Sequence, residues 1–168
     1  RYILNKRMAD YYFARRKPDT EWKTITDLEP LLREMTYRYA MNDYDGTIFV
    51  LFHMDFKYLL KWGYSELVLN WHSRLEGKIT KPNYARANVG NLGSAYWMMG
   101  NAEKAIGYYQ KAFALAREQQ NRTSEAVWLN NLGNAYADLG QTEQALDHYQ
   151  QALTIDRELG DKKAEGRE

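Results

Sequence analysis

Apolar and polar residues alternate along this chain with a helical period almost throughout. Leu92, Tyr96 and Met99 lie four and three positions apart and share one face. Ala105, Tyr109 and Ala112 repeat that spacing further on. The pattern predicts helices near 2–16, 27–41, 44–54, 55–62, 64–76, 82–99, 102–119, 122–139 and 142–159, and no stretch alternates as a strand would. The three prolines punctuate the same units. Pro18 separates the first helix from the second. Pro30 sits in a first turn after a candidate cap, Asp27, and Pro82 opens a helix, where a missing N–H is tolerated.

The chain also repeats itself. "NLGSAYWMMGNAEKA" from Asn91 returns as "NLGNAYADLGQTEQA" from Asn131, forty positions later. Leu92, Gly93, Ala95, Tyr96, Gly100, Ala105, Tyr109 and Ala112 align with Leu132, Gly133, Ala135, Tyr136, Gly140, Ala145, Tyr149 and Ala152. Gly93 and Gly133 fall inside helices, where glycine costs roughly 1 kcal/mol against alanine. A cost repeated in phase implies close approach of a second helix, with Ala105 and Ala145 as its small partners and Tyr109 and Tyr149 as knobs. Gly100 and Gly140 suit left-handed helix caps. A weaker copy, "LLKWGYSELVLNWHSRL", places Gly63 at the turn and Val68, His72 and Leu75 where Ala105, Tyr109 and Ala112 stand. A fainter one from Leu28 puts Asn42 at the turn, Thr47 at the Ala105 position and Leu51 at the Tyr109 position. In the tail, Asp161 and Glu165 match Asn121 and Glu125, the opening of a further repeat.

These residues resemble the tetratricopeptide repeat: helix, tight turn, antiparallel helix. The usual period is about 34 residues. The forty-residue period is similar to the long variant of the kinesin-light-chain and polarity-adaptor type. The resemblance implies an all-α fold, a right-handed superhelix (α-solenoid) of antiparallel helix pairs. Residues 1–81 would be a helical region of degenerate hairpins, 82–160 two regular repeats, and 161–168 the start of a truncated further one. The N-terminal third, with "RMADYYFARRKPDTEWKTITDLEPLLREMTYRYAMNDYD", "YLLKWG" and "RLEGKI", resembles the helical region joining the ATPase module of bacterial STAND (NB-ARC) NTPases to their repeat arrays. "IDRELGDKKAEG" is similar to a phrase common in those arrays. That resemblance implies the sensor or scaffold arm of a cytoplasmic signalling ATPase. Since the chain opens on Arg1, it reads as a piece of a longer protein.

Bulk properties narrow the chemistry. Lys plus Arg number 23 and Asp plus Glu 22, a net charge of +1, so no global field draws the chain to nucleic acid or anionic lipid. Cysteine is absent, which removes disulfides and thiolate metal sites and fits a reducing compartment. No apolar run approaches the ~20 residues of a membrane helix. No phosphate loop of the form GxxxxGK(S/T) occurs, and "GNLGSA" at Gly90 follows the helical period. His53, His72 and His148 lack metal-ligand spacing and read as solvated or partly packed helix residues. "DYDG" at Asp43 lacks its acidic twelfth ligand, a position held by Met54. The expectation is therefore a fragment that is not an enzyme, with no cofactor and no metal.

The repeat resemblance implies that the first helices line the concave inner groove of the superhelix, and that ligand contacts come from the positions on them flanking the small residue. Residue by residue these are Asn91, Ser94, Trp97 and Met98, then Asn130, Asn131, Asn134 and Asp138. Arg86 matches a peptide-binding Arg of the polarity-adaptor branch, although Ala126 stands at the next copy. Asparagine amides can clamp a ligand backbone through both a donor and an acceptor. Equally, Asn91 and Asn131 could bridge neighbouring helices. The expected role is binding of a protein or peptide. The alternatives are self-association through an exposed apolar solenoid end and, third, nucleic-acid binding by the basic, aromatic helix ending in Arg15, Arg16 and Lys17.

Overall fold

The structure, a computed structural model, describes the backbone of residues 1–164 and the side chains of residues 1–160. The helices are α1 (Tyr2–Phe13), α2 (Glu29–Ala40), α3 (Tyr44–Phe52), α4 (Ser65–Leu75), α5 (Pro82–Met98), α6 (Ala102–Glu118), α7 (Arg122–Asp138) and α8 (Thr142–Ala164). Two 3-10 turns, Asp19–Glu21 and Ile25–Leu28, precede α2, and a π-helical turn, Asp55–Leu60, precedes α4. No strand occurs among the described residues. The expected helix over 55–62 is that π turn. The first helix stops at Phe13, before the basic run, and α8 extends through Ala164, so Asp161 lies within it. Glu165 lies outside the described residues.

The chain forms two compact units, Arg1–Ala85 and Arg86–Glu168. In the first, α1 packs on α2 and α2 on α3. Leu28, Leu31, Met35, Ile48, Leu51, Met54, Leu59, Val68 and Leu75 are fully buried there. Tyr12 stacks on Tyr37 with ring centroids 5.9 Å apart. The three basic residues after α1 are all engaged within this unit. Arg15 lies 3.6 Å over the Tyr11 ring. Arg16 reaches the buried Glu34 at 2.8 Å. Lys17 reaches Asp27 at 3.0 Å. Asp27 is not the cap of α2. Its carboxylate accepts from the N–H groups of Lys23 and Thr24, both at 3.1 Å, and so stabilises the 3-10 turn ahead of that helix.

The weak copies have the local geometry their register implies. Gly63 (φ 86°) and Asn42 (φ 62°) are left-handed, as are Gly100 (φ 76°) and Gly140 (φ 72°) in the regular copies. Val68, His72, Leu75, Thr47 and Leu51 are all fully buried. His72 is thus not a surface residue: its Nε2 lies 3.1 Å from the Oδ2 of buried Asp55, on the π turn.

In the second unit, α5 and α6 form one antiparallel hairpin and α7 and α8 the next. Helix starts are fixed by Asn101, whose Oδ1 accepts from the Lys104 N–H at 3.1 Å, and by Asn121, which accepts from Ser124 at 2.8 Å. Ala105, Ile106, Tyr109, Ala112 and Ala116 of α6 form a core with Trp128, Leu132 and Ala135 of α7. The glycines inside the helices face a ring rather than a small residue. A Cβ on Gly93 would stand 2.7 Å from the Tyr109 ring, and one on Gly133 2.4 Å from Tyr149. The tyrosine knob, and not Ala105 or Ala145, is what each glycine makes room for.

Candidate functional site

The first helices of the two hairpins, α5 and α7, lie side by side. Trp128 of α7 presses on Gly90 of α5, where a Cβ would stand 2.0 Å from the indole. These two helices carry the residues expected from the repeat register, which fall into three groups.

Ser94 and Asn134 are tied to their own hairpins. The Tyr109 hydroxyl donates to the Ser94 Oγ at 3.1 Å, and Ser94 in turn donates to the Gly90 carbonyl at 3.3 Å. Burial pushes the Tyr109 phenol above its ordinary pKa, with the Ser94 bond acting in the opposite direction. One repeat on, the Tyr149 hydroxyl donates to Asn134 Oδ1 at 2.7 Å. Flanking ring stacks repeat as well, Tyr96 on Tyr108 at 5.5 Å and Tyr136 on His148 at 5.2 Å. Arg86 is also engaged: its guanidinium donates to the Gln119 side-chain carbonyl at the end of α6, and burial lowers its pKa.

Asn91, Asn130 and Asn131 are half-buried. Asn130 and Asn131 make no side-chain hydrogen bond among the described residues. Asn130 stands one repeat from Gly90, so it lies on the side of α7 that corresponds to the side of α5 facing Trp128.

Trp97, Met98 and Asp138 form the exposed part. The Trp97 indole N–H donates to Asp138 Oδ2 at 2.5 Å, joining α5 to α7. Trp97 is 37% exposed, Met98 48% and the neighbouring Met99 44%. The surface therefore offers an apolar strip, one oriented indole and the Asn131 amide. No cluster of His, Cys, Asp and Glu that could hold a metal occurs among the described residues, nor is any helix there long and apolar enough to cross a membrane.

Residues 83–158 match the family model of the tetratricopeptide repeat. Solved structures share the fold. A kinesin-light-chain-type protein of Podosopora anserina with nearly identical TPR-like repeats superposes with a TM-score of 0.60 at 13% identity, over 81% of this chain and 68% of that one. BtubC of P. vanneervenii gives a TM-score of 0.47 at 17% identity, covering 95% of this chain and 57% of its own. No curated protein sequence matches the chain. The fold is the all-α tetratricopeptide-repeat solenoid.

Proposed function

We propose that this protein binds a protein or peptide segment in the groove lined by α5 and α7, as a scaffold or sensor rather than as an enzyme. Tetratricopeptide repeats generally mediate protein–protein contacts. The observation that carries the reading here is the Trp97–Asp138 bond, because it holds an exposed indole in one orientation next to the exposed Met98, while Asn131 stands seven positions before Asp138 on the same helix. A fixed aromatic loses little entropy on binding and makes an effective anchor. Asn131 can meet both an N–H and a C=O of an extended or helical ligand backbone.

The larger setting we propose is a cytoplasmic bacterial STAND-type signalling protein, in which the segment senses a partner and governs the ATPase. Support comes from the sequence phrases of the N-terminal third and from "IDRELGDKKAEG". A Walker-type loop encoded upstream in the same reading frame is the expected finding, and a frame without one removes this setting.

The binding reading is tested with peptides selected on the wild-type chain from a random displayed library. Trp97→Ala and Asn131→Ala should each weaken the selected peptide about tenfold, which corresponds to about 1.4 kcal/mol, at unchanged helicity. Unaltered affinity in both variants would remove this surface from the function.

A further inference from the structure

The "DYDG" run at Asp43 and the basic residues after α1 meet at one cavity of the first unit, about 510 Å³ in volume. Its lining comes from α1, α2 and α3 and from Lys81 and Tyr84 around the start of α5. That volume suits a small molecule.

Buried Glu34 fixes two of the cations there. Its Oε2 accepts from Arg16 Nε at 2.9 Å and its Oε1 from Arg38 Nε at 2.7 Å. Arg38 Nη1 donates further to Asp43 Oδ2 at 2.6 Å. The two aspartates of the run are engaged as well. Asp43 Oδ1 accepts from the Gly46 N–H, and Asp45 accepts from the Thr80 hydroxyl and from the N–H groups of Thr80 and Lys81. Donors are left over. Arg16 Nη1, Arg38 Nη2 and the Lys81 ammonium make no hydrogen bond among the described residues.

The rest of the wall is aromatic. Phe13 is 56% exposed and Phe49 47%. The Arg16 guanidinium lies 4.7 Å from the Phe13 ring centroid. Phe49 stacks on Tyr84 with centroids 6.4 Å apart, and Lys81 Nζ stands 5.0 Å over the Tyr84 ring. Each ring wall therefore has a cation beside it. An anion with a flat apolar body meets both sets of groups at once, its oxygens on the unspent N–H donors and its ring on the phenyl groups. Charge decides which anion. Arg16, Arg38 and Lys81 are already balanced by Glu34, Asp43 and Asp45, so a dianion would bring twice the uncompensated charge of a carboxylate.

We infer that this cavity binds a small aromatic carboxylate, with the carboxylate on Arg16, Arg38 and Lys81 and the ring against Phe13 and Phe49. The site belongs to the first unit and shares no residue with the α5–α7 groove, so the two readings fail separately.

The test titrates phenylacetate into the full chain and follows the side-chain Nε–H signals of Arg16 and Arg38 by nitrogen-15 NMR. They should shift saturably by about 10 mM, the range for so small a ligand. Phenylacetamide, which lacks the charge, and acetate, which lacks the ring, should each bind about tenfold more weakly. Lys81→Gln removes a cation that holds no carboxylate, so it should weaken phenylacetate about tenfold at an unchanged melting temperature. Phe49→Ala should weaken phenylacetate and leave acetate as it was. The inference is overturned if phenylacetate produces no saturable shift, or if phenylacetamide binds as well. Wild-type affinity in both variants overturns it too, as does phenyl phosphate binding more tightly than phenylacetate.

Discussion

Trp97 and Asp138 belong to different hairpins, and the indole N–H of one donates to the carboxylate of the other at 2.5 Å. The bond is exposed, so it adds little stability in water. It does restrict an apolar ring that would otherwise sample several rotamers, and it places that ring between α5 and α7. A binding surface built from stacked hairpins is rigid only to the extent that the hairpins are. The rings seated over Gly93 and Gly133 supply that rigidity from beneath.

The first prediction separates packing from helix propensity. Gly93, Gly107 and Gly133 are all helical, so alanine gains about 1 kcal/mol of propensity at each. At Gly107 an added Cβ meets nothing within 4 Å, and Gly107→Ala should raise the melting temperature. At Gly93 and Gly133 the Cβ would lie 2.7 Å and 2.4 Å from a tyrosine ring. Gly93→Ala and Gly133→Ala should lower stability by about 1–3 kcal/mol, the range for overpacking. Thermal melts of the three variants decide it, and a common upward shift would mean that the rings yield easily.

A second prediction concerns Gln120, which follows α6 in the left-handed region at φ 52°. Its backbone neighbours close the helix as the glycine caps do, with the Asn121 N–H donating to the Ala116 carbonyl at 2.9 Å. A side chain costs about 1 kcal/mol in that conformation, and glycine avoids the cost. Gln120→Gly should therefore stabilise the second unit by up to about 1 kcal/mol in urea unfolding, against the usual direction for glycine substitutions.

The third prediction is an acid dependence confined to the first unit. Asp27 is held well below the usual carboxylate range, first by its hydrogen bond to Lys17 and then by the N–H groups of Lys23 and Thr24. Asp19 is lowered chiefly by its bond to Lys57. A carboxyl depressed by folding stabilises the fold above its ordinary value of 3.8 and loses that contribution as pH falls through the lower folded value. The unit should thus weaken progressively below about pH 4, and Asp27→Asn should be less stable near neutrality with a flatter acid slope. Trp22 reports it directly, because its indole donates to the Lys17 carbonyl at 3.1 Å.

Helices, their order and their left-handed turns are legible in the sequence because each depends on residues close along the chain. Gly63, Gly100, Gly140 and even Asn42 mark turns whose φ angles are positive. The in-phase glycines announce a close approach, but not its partner. The partner is a tyrosine ring, and which side chain meets which depends on how two helices are rotated about their axes. The Ser94 and Asn134 bonds to Tyr109 and Tyr149 are hidden from the sequence for the same reason. Asp55 and His72 are seventeen positions apart on a π turn and on α4, and helical periodicity cannot bring them together. One signal was available: His72 occupies the position of Tyr109, whose hydroxyl also reaches the first helix of its own hairpin. At the candidate face, the repeat register gives the positions. The division into engaged and available residues depends on the packing of the hairpins in three dimensions.

Whether ligand is held on the α5–α7 surface is decided by nitrogen-15 NMR of the full chain titrated with a library-selected peptide. The Trp97 indole N–H gives its own resonance, as does the Asn131 side-chain amide. These two signals should shift together and saturably, while the indole signals of Trp22, Trp62 and Trp71 stay in place. Shifts confined to residues elsewhere, with Trp97 and Asn131 unmoved at saturation, would refute binding at this surface.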